Sequence, residues 1–94
     1  MLTTVIGAYP KPDYLKITDW FNAKGGTDTA NPTKFYENEI KKMGSNAELL
    51  FNKAAKEVIR DQLDCGIDII TDGEIRRENY IHYHCRYLNG VDFN

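Results

Sequence analysis

The segment Gly66-Ile67-Asp68-Ile69-Ile70-Thr71-Asp72-Gly73-Glu74-Ile75-Arg76-Arg77-Glu78-Asn79-Tyr80 constrains this chain more than any other. Its β-branched run from Ile67 to Thr71 reads as a strand with one acidic interruption. That run delivers a carboxylate, Glu74, and two guanidinium groups, Arg76 and Arg77, to its own end, where parallel α/β proteins gather their chemistry. Leu2-Thr3-Thr4-Val5-Ile6 is a second strand candidate, ending in a tight Gly7-Ala8-Tyr9-Pro10-Lys11-Pro12 turn. Two such strands set their loops on one side.

Length then limits what these strands can build. The chain has 94 residues, enough for one small domain, whereas a sheet buried on both faces needs helices all round it. A complete (β/α)8 barrel takes roughly 250 residues. The expectation is therefore a small α/β domain or the opening part of something larger. With 41% hydrophobic and 12% aromatic residues the composition is that of a folded chain. Twelve basic against 14 acidic residues leave a net charge of −2, which gives no electrostatic footprint for nucleic acid or a membrane surface. No apolar run approaches the roughly 20 residues of a membrane helix, so a cytoplasmic chain is expected. Cys65 and Cys85 are read as free thiols.

Between the strand candidates the pattern is helical. Residues 11–33 are the least regular stretch, punctuated by Pro12, Gly25-Gly26 and Asn31-Pro32, although Tyr14, Leu15, Ile17, Trp20 and Phe21 recur at near-helical spacing. A helix from Pro32 to Met43 is expected from proline in its first turn and Lys41-Lys42 near its end, with Gly44 as the stop. Ser45-Asn46-Ala47-Glu48 has the capping-box pattern for the next helix. Phe51, Ala55, Val58, Ile59 and Leu63 then form its apolar face over about five turns, and Gly66 offers a left-handed cap. A fourth helix is expected from Ile75 to Leu88, closed by Asn89-Gly90, with Tyr80, Ile81, His84, Tyr87 and Leu88 near one face. Val91-Asp92-Phe93 looks like the approach to a further strand.

Strand, long helical crossover, strand and helix make the two strands parallel in a right-handed topology and bring both strand-end loops to one rim. There Glu74 and the Gly7-Ala8 backbone are candidates to share a site, because a carboxylate flanked by exposed amides can hold both ends of a zwitterion. Spacing alone favours a plainer reading, in which Asp72 caps a helix and Glu74 sits in its first turn.

The motifs themselves add to this. Thr4-Val5-Ile6-Gly7-Ala8-Tyr9-Pro10 resembles the opening of the cobalamin-independent methionine synthase catalytic domain, where an Ile-Gly-Ser-Phe/Tyr-Pro turn ends the first barrel strand. Asp64 to Glu74 followed by Arg77 resembles that family's next signature, a strand ending in Gly-Glu with arginine three residues on, and Leu88 to Phe93 resembles its continuation. The resemblance implies an α/β fold in which residues 1–94 are the N-terminal β-α-β-α portion of a (β/α)8 TIM barrel, incomplete as a single chain. It implies a methyltransferase of the 5-methyltetrahydropteroyltriglutamate-homocysteine S-methyltransferase type. In that reaction zinc binds and deprotonates the thiol of homocysteine, which takes a methyl or other alkyl group from a donor such as methyltetrahydrofolate. Ile6, Gly7 and Ala8 match the turn that holds the amino acid through backbone, Glu74 matches the carboxylate receiving its ammonium group, and Arg77 matches a basic position in the same loop. No catalytic residue is carried over.

Two positions depart from the family pattern. Ala8 stands where the methionine synthases have serine, and Asn79 where they tend to have aspartate, so the thiol and the alkyl donor stay open at this level. The family's zinc ligands, a His-x-Cys pair, a glutamate and a later cysteine, lie downstream of the matched region. His82, His84 and Cys85 supply suitable atoms, but on a helix His82 and His84 are about 200° apart, so helix packing with a polar tip is expected instead. Tyr80, Tyr83 and Tyr87 share a stripe that reads as core or subunit contact, and Trp20 and Phe21 as helix packing. The alternative to an enzyme is a non-catalytic α/β binding or assembly module, or a truncated fragment inactive alone. In either case exposed sheet edges call for self-association or a partner chain.

Overall fold

A computed structural model describes residues 1–19, 31–78 and 81–90. The chain divides into two compact units, Met1–Leu15 with Asn46–Arg76, and Lys16–Ser45 with Arg77–Asn94. Trp20, Phe21, the Gly25-Gly26 pair, Asn79, Tyr80 and the strand expected at Val91-Asp92-Phe93 lie outside the described residues. Cys65 and Cys85 both carry free thiols.

The first unit is built on one long helix, α2, spanning Ala47–Asp64. Its buried row is Ala47, Phe51, Ala54, Val58 and Gln62, a spacing of four, three, four and four that holds one face of a 3.6-residue helix. This row is rotated from the expected one: Ala55 and Ile59 are half-buried and Leu63 is 58% exposed. The C-terminus follows the sequence closely. Gly66 adopts φ 79°, its N–H bonds Leu63 O at 3.0 Å, and the N–H of Ile67 bonds Gln62 O at 3.1 Å. These two bonds form a Schellman cap, which needs the left-handed conformation that glycine adopts freely.

The capping box expected at Ser45 does not form. A 3-10 turn, Gly44–Asn46, runs into α2, and Asn46 at the cap position has helical dihedrals (φ −84°, ψ −7°) with no side-chain cap bond. Ser45 itself lies inside that 3-10 turn, which denies it the extended backbone a cap residue needs. Glu48 turns instead to Arg76, whose Nη2 and Nη1 reach its carboxylate at 2.6 and 3.0 Å. That pairing holds the Glu48 carboxyl below its ordinary range. Arg76 also bonds Asn52 Oδ1 at 3.2 Å and lies 4.8 Å from the centre of the Phe51 ring.

Alongside α2, the segments at the start of the chain and after Gly66 run parallel. Thr4 and Ile69 form a parallel bridge, with the Ile69 N–H donating to Thr3 O at 2.9 Å and the Thr4 hydroxyl to Ile69 O at 2.7 Å. Asp68 secures the register by accepting from both the N–H and the hydroxyl of Thr3, at 2.8 and 2.9 Å. The two expected strands are thus neighbours and parallel, but among the described residues they amount to an isolated bridge and not to extended strands. A ladder requires pairing along its length, and Leu2, Ile6, Ile69 and Ile70 are all exposed, with Ile6 fully so.

The second unit contains α1, Pro32–Met43, with the expected bounds: proline in the first turn, and Gly44 at φ 68° donating its N–H to Lys41 O. Thr18 docks on α1 through Glu39, its N–H and hydroxyl donating to the two carboxylate oxygens at 2.9 and 2.5 Å. The segment up to Asp19 is not helical, contrary to the spacing of Tyr14, Leu15 and Ile17. Leu15, in the first unit, and Ile17, in the second, are nonetheless both buried.

The helix expected from Ile75 to Leu88 is reduced to α3, His82–Cys85. Residues 73–76 form a turn; Gly73 and Glu74 both have positive φ, 65° and 54°, so Glu74 cannot stand in the first turn of a right-handed helix. The faces are also inverted. Ile81, Tyr87 and Leu88 are exposed, whereas Arg86 is paired with Glu78 at side-chain exposures of 6% and 8%. The Arg86 guanidinium lies 4.6 Å from the Tyr36 ring centre. Burial first, then the Glu78 carboxylate, pushes the Tyr36 phenol up to about 12. Tyr83 makes edge-on ring contacts with His84 and Tyr87 at 5.3 and 6.2 Å.

Candidate functional site

Two turns of the first unit meet. The N–H of Tyr9 donates to the carbonyl of Gly73 at 2.8 Å, which ties the Gly7-Ala8-Tyr9 turn to the Gly73-Glu74 turn by backbone alone. Tyr9 is fixed further by its hydroxyl, which donates to Asp61 Oδ2 on α2 at 3.3 Å. Burial, then the neighbouring Asp61 carboxylate, raises the Tyr9 phenol above its ordinary value.

Gly73 is buried, and its place is too narrow for any side chain. A Cβ there would come within 2.6 Å of Val58 Cγ1 and 2.9 Å of Tyr9 Cδ2, distances that packed carbon atoms do not reach. Glu74 follows as the only described non-glycine residue with positive φ, 54°, a conformation costing a side-chain-bearing residue about 1–2 kcal/mol. Short local bonds hold it. The N–H of Gly73 donates to Thr71 Oγ1 at 3.1 Å and that of Glu74 to Asp72 Oδ1 at 3.0 Å. Asp72 therefore caps a turn and not a helix. Strain in a carboxylate-bearing residue, held by its surroundings, is a feature that clusters at ligand sites.

On the facing turn, Gly7 has φ 93° and open space where a Cβ would stand. No hydrogen bond among the described residues engages the N–H of Gly7 or Ala8, whereas those of Tyr9, Gly73 and Glu74 are taken. Of the residues singled out in the sequence, Gly7, Ala8 and Glu74 are thus on turns that touch. Ile6 is wholly exposed, and Arg77 is half-buried and belongs to the second unit.

Gln62 escaped the sequence reading. It is 1% exposed and holds both backbone groups of Thr71, accepting from its N–H at 2.9 Å and donating to its carbonyl at 2.8 Å. The signal was present in its spacing, four residues after Val58 on the row that α2 buries.

With the geometry of both turns in place, the chain can be set beside known proteins. Residues 1–94 match the family described as the cobalamin-independent synthase catalytic domain. The chain belongs to that family. It is 34% identical over 91 residues to a methionine synthase of Sulfolobus acidocaldarius, an alignment covering 97% of this chain and 22% of that protein. The methionine synthases of Saccharolobus islandicus (strain L.S.2.15) and Saccharolobus solfataricus are each 29% identical over 91 residues, again 97% of the chain and 23% of theirs. The chain therefore spans under a quarter of the length of these curated relatives. No solved structure gives a significant match.

Among the described residues, no group of three His, Cys, Asp or Glu side chains is placed to hold a metal ion. The His82, His84 and Cys85 run on α3 is not such a group. No helix among the described residues is long and apolar enough to cross a membrane.

Proposed function

We propose that this member of the cobalamin-independent synthase family contributes part of the amino-acid-binding rim of a methyl-transfer enzyme of methionine synthesis. The substrate is a thiol amino acid such as homocysteine, and the donor a folate-type methyl carrier such as methyltetrahydrofolate. Glu74 takes the ammonium group, and the open N–H groups of Gly7 and Ala8 take the carboxylate, with Ile6 leading into their turn. The observation that carries this reading is the Tyr9 N–H to Gly73 carbonyl bond at 2.8 Å, since it couples a turn with unengaged donors to a turn bearing a strained carboxylate. Opposite charges at the two ends of the ligand then meet opposite groups. Zinc, which in this family activates the thiol, draws its ligands from elsewhere in the complete enzyme.

The exposed Leu2, Ile6, Ile69 and Ile70 support a (β/α)8 barrel as the complete fold, because parallel strands are ordinarily covered on both faces. On this reading the 94-residue chain associates with itself or with a partner chain, and native mass spectrometry showing only monomer would contradict it. A cytoplasmic setting fits the two free thiols.

The direct test is Glu74→Gln, measured by calorimetry with homocysteine as the titrant. The expected loss is about 2–5 kcal/mol of binding free energy with the circular dichroism spectrum unchanged. Equal affinity in the variant and the parent chain would sink the assignment.

A further inference from the structure

Gln62 is the one polar side chain in the buried row of α2. A buried primary amide must place its donors and its acceptor, and this one does so on only two residues. Its Nε2 donates to Val58 O at 3.1 Å and to Thr71 O at 2.8 Å, while its Oε1 accepts from the Thr71 N–H at 2.9 Å. One side chain thereby gives Thr71 the donor and acceptor that a neighbouring strand's backbone would have supplied. The Thr71 hydroxyl then accepts from the Gly73 N–H at 3.1 Å, and Asp72 accepts from the Glu74 N–H at 3.0 Å. An unbroken run of short contacts leads from the buried face of α2 to the residue with φ 54°.

Packing alone does not call for an amide here. Methionine is unbranched, of similar length, and fills a buried row without polar atoms to satisfy. What the amide adds is a fixed position for Thr71, and a left-handed Glu74 persists only where its surroundings over-determine it. We propose that Gln62 is a positioning residue for Glu74, setting the backbone from which the carboxylate meets the ammonium group of the thiol amino acid. This inference rests on the reading of Glu74 given above.

The test is Gln62→Met in the full chain, alone and combined with Glu74→Gln, with homocysteine as the probe and amide NMR as the second readout. Helicity is expected to stay at the parent value, while the Thr71 amide exchanges faster and the Glu74 amide resonance moves. Homocysteine is expected to bind about tenfold more weakly to Gln62→Met, as a misplaced ligand group implies. In the Glu74→Gln background the same change should cost nothing further, because two residues acting through one contact are not additive. Additive losses would overturn the proposal, as would unaltered Thr71 and Glu74 amides in Gln62→Met. Equal homocysteine affinity of the parent chain and Glu74→Gln would instead defeat the binding reading, and the Thr71 and Glu74 amides would still decide whether Gln62 sets the turn. Should Gln62→Met not fold, the parent chain decides: slow exchange of the Thr71 amide supports the clamp, and exchange at the rate of an open loop overturns it.

Discussion

The two glycines that shape the candidate rim differ in why glycine is needed. At Gly73 the restriction is space: Val58 and Tyr9 both crowd the place a Cβ would take, and a methyl group would overlap them. At Gly7 no atom of the described residues lies within 4 Å of where a Cβ would stand, and its φ of 93° is what favours glycine. One turn is closed by packing against α2 and carries Glu74 on a fixed backbone. The other is open, and no hydrogen bond among the described residues takes the N–H groups of Gly7 and Ala8. A binding rim benefits from that division, since a rigid charge can be aimed while an open backbone admits the ligand.

The sharpest way to break this contrast is to add one methyl group at each place. Gly73→Ala is expected to cost about 2–4 kcal/mol in urea denaturation, combining overpacking with the left-handed backbone. A cost below that of Gly7→Ala would show that the turn is not closed by Val58 and Tyr9. Gly7→Ala meets only the backbone penalty and should cost about 1 kcal/mol.

Glu74→Gly sharpens the comparison from the other direction. Relieving the positive φ should raise stability by up to about 1 kcal/mol in the same denaturation measurement, while homocysteine binding is lost. A variant that is both less stable and still binds would contradict the assignment of strain to a ligand-binding carboxylate.

The smallest effect belongs to a region remote from both turns in sequence, and so serves as a reference. The Tyr36 phenol is raised from its ordinary 10.0 to about 12, so the folded state holds its proton more tightly than the unfolded chain does. Its contribution to stability is therefore complete below pH 10 and is lost as pH rises toward 12. Ultraviolet titration of the phenols should show this group ionising near 12, and a full set of tyrosines titrating together near the ordinary value would refute the burial behind it.

Much of this was legible from local chemistry. Pro32 and Gly44 bound α1 because each acts on its own backbone, and Gly66 closes α2 for the same reason. The start of α2 was not legible, since Glu48 had two uses and Arg76, distant in sequence, took it. The strand expected from Ile67 to Thr71 is present only as the parallel bridge of Ile69 to Thr4, because a strand's extent depends on pairing, and at Thr71 the partner is the Gln62 side chain. The fourth helix failed because a polarity pattern does not reveal that Glu74 is left-handed, or that Glu78 and Arg86 pair in the interior. Even that pair is incompletely satisfied, with Glu78 Oε2 and Arg86 Nε and Nη1 lacking hydrogen-bond partners among the described residues. For the site, the sequence set Gly7, Ala8 and Glu74 on two strand-end loops, whereas the Tyr9–Gly73 contact joining those turns was not legible, because it is made by backbone atoms that every residue carries.

The most direct measurement is an amide NMR titration of the isotopically labelled chain with homocysteine. If the two turns form one rim, resonances of Gly7 and Ala8 shift together with those of Gly73 and Glu74, along a single saturation curve that disappears in Glu74→Gln. Shifts confined to one turn, or a curve unchanged by Glu74→Gln, would contradict the account.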